Sequence, residues 1–465
     1  MHRIELVNCN LPAEAKFLLE ILNKYGEARV IGGYVRDIIY KKLHSNFPQP
    51  NYYYNPFSTE KPTNPTTNRS NPGTSSAQNN LQNQAQIPTH YQSDIDLATN
   101  LEPNKVKEII SKAGINIIDS GIKYGTVTAI IEDNPTIPNQ KKSYNTYEIT
   151  TLRQDLECDG RYATVKFGTN WESDAARRDF TINALSLDSS GKVYDYFNGI
   201  EDLKNNQIKF IGDPAKRIAE DYLRILRYFR FVAYLNSEIE PEQLEVVISL
   251  QHNIKSLSRE RIWGEVKKIL SFDTSPKILA QMYQAGMFQW LYLQDNTISQ
   301  DYTSKEIANL RFISNHPIAN LSALLYVLGY DQADIKKLCE DWKLSNQDKK
   351  YITTVAEIRQ EVGITKSNQR EMLFRIGHTL YQSLLLRNYI LGGDDTYHDI
   401  RTLYVNSKSH NDILPVNGND IKKMGIEAKS IGIILNEAKD LWAKSGFSYN
   451  RTEMLNIIKR KLLKK

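Results

Sequence analysis

The strongest constraint on the fold is a change of apolar periodicity near Pro214. Before it, short strand-like apolar runs alternate with helical stretches; after it the spacing is helical to the C terminus, with turns at Pro241, Pro317, Gly392-Gly393 and Pro415. Such a chain folds as an α/β head followed by an all-α body. Its 465 residues exceed one compact core and suggest roughly three packed units. No fixed-period repeat is present, so a solenoid is not supported.

Within the head, Pro12 to Tyr25 places Ala15, Leu18, Leu19 and Leu22 on one helical face, and Ala28-Arg29-Val30-Ile31 reads as a short buried strand. A helix follows Gly33. From about residue 45 to 92 the composition shifts to Asn, Pro, Gln, Ser and Thr with almost no aliphatic residues, which predicts a disordered insertion. Its Tyr52-Tyr53-Tyr54 cluster could stack on bases, although tyrosines scattered through low-complexity sequence are commoner. Then come Asp94-Ile95-Asp96-Leu97, a helix from Pro103 to Ala113, strands over Thr126 to Ile131 and Tyr147 to Thr151, and a hairpin loop from Asp133 to Lys142.

The bulk properties exclude several classes. A charged fraction of 24% and a hydrophobic fraction of 40% describe a soluble globular protein, and no run of about 18 apolar residues could span a bilayer. The opening Met1-His2-Arg3-Ile4-Glu5-Leu6 lacks a secretory pattern, so a cytoplasmic location is expected. Cys9, Cys158 and Cys339 are few, odd in number and far apart, and read as reduced thiols. Net charge is +5 and the pI about 8.7, compatible with a polyanionic partner. The tail Lys459 to Lys465 is basic, and suits either phosphate contact or a solvated helix end. His398-Asp399 lacks further metal ligands and reads as a surface turn.

The candidate chemistry starts at Asp94 and Asp96. Residues i and i+2 of a strand project to one face, so both carboxylates enter one site, where they repel unless a hard cation such as Mg²⁺ lies between them. An isolated Asp-x-Asp is more often a solvated acidic turn, and context decides. Upstream, Val30-Ile31-Gly32-Gly33-Tyr34-Val35-Arg36-Asp37 puts two glycines between strand and helix, where backbone amides can approach a triphosphate and Arg36 adds charge.

Together these segments resemble the opening motif of the polymerase-beta-like nucleotidyltransferases, here with the insertion between its halves. Ala175-Ala176-Arg177-Arg178-Asp179-Phe180-Thr181-Ile182-Asn183-Ala184-Leu185 resembles the signature of the class II branch, which holds bacterial CCA-adding enzymes and bacterial poly(A) polymerases. Adjacent Arg177 and Arg178 supply planar donors for phosphate and ribose oxygens, and Asp179 and Asn183, i,i+4 on a helix, can position them. Tyr194 to Leu203 and Ile211-Gly212-Asp213-Pro214 resemble the family's connection from head to neck, with Asn198 where a second glycine is common.

Ala219 to Phe231 resembles the family's nucleobase-recognition helix. Asp221 and Arg224 are i,i+3 neighbours that can face one base edge; the resemblance implies that they select C and A without a template, although such spacing is also that of a surface ion pair. Arg227 and Arg230 continue the basic stripe toward triphosphate or RNA, or cap the helices. Glu148, on a family-like strand Glu148 to Arg153, is a third candidate carboxylate, near the metals or activating the 3′ hydroxyl. Ser258 to Glu265 resembles the helix that buttresses the base-reading one.

The implied fold is α+β: a nucleotidyltransferase head with a mixed sheet over 1–185, a neck over 186–270, a helical body over 271–345 and a helical, tRNA-binding tail over 346–465. The implied reaction adds C, C and A to the tRNA 3′ end from CTP and ATP with Mg²⁺; no obligate protein partner is evident. Ile118 to Val127, with its Gly125-Thr126 pair, and Leu414 to Asp420 look like the CCA-adding branch. Poly(A) synthesis, CC-only or A-only addition, and a catalytically silent RNA-binding protein are the alternatives.

Overall fold

The computed structural model describes residues 2–5, 11–44, 95–133, 143–159, 162–288, 304–313, 315–357, 369–376 and 412–462, with scattered helical positions between 381 and 391. Asp94, the insertion with Tyr52, Tyr53 and Tyr54, the loop 134–142 and His398-Asp399 lie outside them. The chain divides into two compact units, one ending at Glu265 and the other starting at Val266.

In the first unit β1 (His2–Glu5) precedes α1 (Ala13–Asn23), where Ala15, Leu18, Leu19 and Leu22 are all buried, as the spacing predicts. β2 (Ala28–Ile31) leads through Gly32 into α2 (Gly33–Leu43). β3 (Asp96–Thr99) is followed by α3 (Pro103–Lys112), whose first-turn proline needs no N–H partner and whose Val106, Ile109 and Ile110 are buried. β4 (Asn116–Ile118), β5 (Thr126–Asp133) and β6 (Ser143–Thr151) follow. β7 (Arg153–Asp159) and β8 (Tyr162–Phe167) form a separate hairpin. After α4 (Trp171–Ala176), β9 (Ser186–Leu187) and β10 (Lys192–Asp195) return to the main sheet.

That sheet has the order β1-β10-β9-β2-β3-β6-β5-β4. It is mixed as expected: β3 and β6 run parallel while the other neighbours are antiparallel. β5 and β6 pair antiparallel out to Asp133 and Ser143, and the expected hairpin loop over 134–142 lies outside the described residues. The sequence pattern did not reveal β1, β4, β9 and β10, which hold two to four residues each and are too short to show a period.

The rest of this unit is helical. α5 (Gly199–Lys204) begins after Asn198, whose φ of 60° lies in the left-handed region that asparagine and glycine tolerate best. α6 (Pro214–Glu220) is capped by Asp213, which accepts from the Lys216 N–H at 2.9 Å. α7 (Leu223–Leu235) buries Ile225, Leu226, Tyr228, Phe229 and Val232, and α8 (Pro241–Leu250) and the part of α9 (Arg259–Ile269) up to Glu265 follow.

In the second unit every described element is a helix, from Ser275–Gln284 to Arg451–Leu462. Its last part packs Val416, Ile421, Ala438, Trp442, Met454 and Ile458 into one core, and Asn417 and Asp420 form a reciprocal cap. Cys339 is buried and unbridged.

Candidate active site

Strand register builds the floor of the site. Ile31 of β2 pairs with Asp96, Asp96 with Glu148, Glu148 with Thr128, and Ile31 also with Ser186. Paired residues project to the same face, so one row across five strands carries Asp96 and Glu148 side by side, about 4.8 Å apart in the strand-to-strand direction. Glu148 is exposed and Asp96 half-buried.

Gly32 directly follows Ile31 of this row with a φ of +75°, a conformation open to glycine. A Cβ there would lie 3.7 Å from both Asp96 Oδ2 and Arg178 Nη1. The bare Cα thus faces the aspartate of the sheet and the second arginine of the 177–178 pair together. Gly33 opens α2 beside it. Asp96 opens β3 and Glu148 lies beside it within β6; carboxylates are hard oxygen donors, the chemistry that suits Mg²⁺. Among the described residues no group of three His, Cys, Asp or Glu side chains converges; Asp94, the other expected ligand, lies outside them.

α4 carries the arginines. It is capped by Asn170, which accepts from the Ser173 N–H at 3.0 Å, and it ends at Ala176, so Arg177 and Arg178 sit at its C-terminal turn. Trp171 packs against Ile31, Ala98 and Leu152 on the face of the row. Arg177 is bonded through Nε to Asp174 at 2.9 Å, and Arg178 lies 3.5 Å from the other Asp174 oxygen while donating to the Asn183 carbonyl at 3.1 Å. Burial pulls Arg178 below the usual arginine range, against the opposing charge of Asp174.

One expectation is corrected here. Asp179 and Asn183 are not on an α-helix: the chain bridges to Phe210 at Phe180 and then makes a single 3₁₀ turn over Thr181–Asn183. The two side chains nevertheless meet, Asn183 Nδ2 donating to Asp179 Oδ1 at 3.0 Å. The other Asp179 oxygen accepts from Arg227 Nε at 2.6 Å. Burial alone would raise the Asp179 pKa; the Arg227 charge, the Asn183 and Arg227 hydrogen bonds and the Phe180 N–H outweigh it and hold this carboxyl below the usual range.

Arg36 is 7% exposed and lies inside the unit. It pairs with Asp37 at 2.8 Å, donates to Asn183 Oδ1 at 2.9 Å and sits over the rings of Phe231 and Tyr234, while Tyr234 donates to Asp37 at 2.7 Å. Its charge therefore orients Asn183.

The second correction concerns Asp221 and Arg224. They do not share one helix, because Asp221 is extended at the end of α6 and α7 starts at Leu223. Asp221 Oδ1 accepts from the Leu223 N–H at 3.1 Å and Oδ2 from Arg261 at 2.8 Å. Arg224 pairs instead with Glu220, and also donates to the carbonyls of Arg217 and Arg177. The Ser258 to Glu265 segment does buttress α7: besides Arg261, the buried Glu265 lies 3.8 Å from Arg227 and 3.1 Å from Arg230. Burial drops Arg230 to about 10, with Glu265 opposing.

The sequence reading missed two groups in this network, Asp174 and Glu220. Asp174 stands three and four residues before the arginine pair, and Glu220 three after Arg217 and four before Arg224, the spacings at which helical side chains meet.

Comparison with known proteins gives this arrangement a family. Residues 84–209 match the poly A polymerase head domain, 236–294 a probable RNA and SrmB-binding site of polymerase A, and 315–445 a putative second domain of tRNA nucleotidyltransferase. The mitochondrial CCA tRNA nucleotidyltransferase 1 of Danio rerio is 33% identical over 381 residues, covering 78% of this chain and 82% of that one. The chain belongs to the CCA tRNA nucleotidyltransferase family. Its human relative of the same name is also 33% identical, over 79% of this chain and 82% of that one. A CCA-adding enzyme of Streptococcus suis strain 05ZYH33 is 35% identical over 57% of this chain and 62% of its own length. The fold matches the Bacillus stearothermophilus CCA-adding enzyme crystallised with CTP, with a TM-score of 0.70, 21% identity and 97% of each chain covered. No helix among the described residues is long and apolar enough to cross a membrane.

Proposed function

We propose that the chain adds C, C and A in order to the 3′ end of tRNA, taking CMP and AMP from CTP and ATP at the site around Gly32. The observation that carries this reading is the approach of Asp96 and Arg178 to the same bare Cα, which sets a cation-binding carboxylate opposite a phosphate-binding guanidinium.

Asp94 and Asp96 would hold Mg²⁺, with Glu148 beside them. When bound, Mg²⁺ neutralises phosphate charge and lowers the pKa of the tRNA 3′ hydroxyl. Arg177 and Arg178 hold the triphosphate and the backbone N–H groups at Gly32 and Gly33 approach it. The 3′ oxygen attacks the α-phosphorus and pyrophosphate leaves in line. Asp179 and Asn183 face the ribose, oriented by Arg227 and Arg36. Asp221 and Arg224, each fixed by a partner of its own, present an acceptor and a donor to the base edge, which is how a protein chooses a nucleotide without a template.

The proposal includes the division into head (1–185), neck (186–270), body (271–345) and tRNA-binding tail (346–465), and action in the cytoplasm, which cell fractionation tests against the mitochondrial names of some relatives. The decisive assay incubates the protein with tRNA lacking CCA, Mg²⁺ and single labelled nucleotides. Ordered C, C, A addition supports the reading; CC or A alone narrows it, long A tails replace it with polyadenylation, and no incorporation leaves an RNA-binding protein.

A further inference from the structure

We infer that Asp174 is a positioning residue that aims the Arg177-Arg178 pair at the triphosphate, whichever nucleotide is bound. The inference rests on the assignment of that pair to the triphosphate. Asp174 is 3% exposed, so its charge is out of contact with water and must be met by protein. Its Oδ1 takes Arg177 through both Nε and Nη2 at 2.9 Å, and its Oδ2 lies 3.5 Å from Arg178. A backbone donor fixes the carboxylate in turn: the Arg153 N–H reaches Oδ1 at 3.4 Å. Arg153 opens β7 two residues after β6 ends at Thr151, and β6 is the strand that carries Glu148.

One buried carboxylate therefore ties both guanidinium groups to the first residue of β7, two residues beyond the strand that carries a catalytic candidate. Two adjacent arginines would otherwise repel and turn apart, since long side chains lose orientation once a fixed partner is removed. Asp174 uses the inner edge of the Arg177 fork and one nitrogen of Arg178, and Arg178 Nη1 is the atom that approaches Gly32. Asp174 itself reaches neither Asp221 nor Arg224, which choose the base. The consequence is a separation of tasks: loss of Asp174 weakens the grip on phosphate for CTP and ATP alike and leaves the choice between them intact.

The test is steady-state kinetics of Asp174→Asn, with inorganic tripolyphosphate as a competitive probe. The expected result is a KM raised roughly 10-fold or more for both nucleotides, a tripolyphosphate inhibition constant weakened by the same factor, and an unchanged CTP-to-ATP preference. An unchanged KM in a folded variant, a defect confined to one nucleotide, or a fall in kcat with normal tripolyphosphate inhibition would each overturn the inference. Should Asp174→Asn not fold, Asp174→Glu carries the same test, since it keeps the charge and displaces it by one methylene; matched KM and tripolyphosphate shifts support positioning and unshifted values reject it. Arg178→Ala separates the two levels of the argument. If it leaves tripolyphosphate inhibition untouched, the triphosphate assignment fails; if it weakens inhibition while Asp174→Asn does not, the positioning role alone fails.

Discussion

Asp221 Oδ2 accepts a hydrogen bond from Arg261 at 2.8 Å, and this contact holds the carboxylate at the junction between α6 and α7. On the base-reading role proposed for Asp221, nucleotide choice depends also on Arg261, 40 positions downstream. Asp221→Ala and Arg261→Ala are both expected to raise misincorporation of GTP and UTP, by about 10-fold for a lost charged hydrogen bond, with tRNA affinity changed less. Single-nucleotide incorporation assays check this. Unchanged selectivity in both variants would reject the base-reading role of Asp221.

Asp96 shares its row with Glu148 and approaches Gly32, so its removal strikes the reaction with either nucleotide. Asp96→Ala should lower incorporation of C and A together by roughly 10³-fold while tRNA still binds in a gel-shift assay. Chelation of Mg²⁺ should reproduce the loss and added Mg²⁺ reverse it in the unaltered protein. Turnover that survives in Asp96→Ala would count against the metal assignment.

Gly32 has a φ of +75° and only 3.7 Å from its would-be Cβ to Asp96 and Arg178. Gly32→Ala fits sterically but costs about 1–3 kcal/mol of backbone strain, since φ +75° with ψ −138° is a conformation other residues rarely adopt, and it puts a methyl group between the two charges. A fall of a few degrees in melting temperature with a larger fall in kcat/KM is expected. A variant as active as the parent would show that nucleotide does not enter there.

Asp179 has its pKa held below the usual carboxylate range by Arg227 and its hydrogen bonds, against the opposing effect of burial. A carboxyl depressed in the folded state contributes stability that is fully present above the unfolded pKa of about 3.9 and is lost as pH falls through the lower folded value. Denaturation followed from pH 6 downward should therefore show Asp179→Asn losing less stability than the parent below about pH 4. Near neutrality, Asp179→Ala is expected to cost about 3–5 kcal/mol, because it leaves Arg227 without its closest counter-charge. Equal acid sensitivity of parent and Asp179→Asn would rule out this linkage.

Much of the architecture was legible before any coordinates. The α1 stripe of Ala15, Leu18, Leu19 and Leu22, the β2 run and the helices after Pro214 all follow from apolar spacing, which local geometry converts directly into a buried face. The glycine pair and the arginine pair were legible as motifs. The short strands β9 and β10 were not, because two to four residues carry no period and are held by their sheet neighbours.

Sequence alone named the candidate residues of the site: the acidic pair, paired glycines, paired arginines, and the Asp221 and Arg224 that follow. Only the tertiary structure decided who faces whom. Asp221 meets Arg261 and Arg36 turns inward to Asn183, whereas Arg224 with Glu220 and Asp174 with the arginine pair keep the three- and four-residue spacing of a helix. The physical reason is that a charged side chain takes the opposite charge or hydrogen-bond acceptor that packing places nearest once water is excluded. Arg36 and Asn183, 147 residues apart, become neighbours in that way, and no local spacing encodes them.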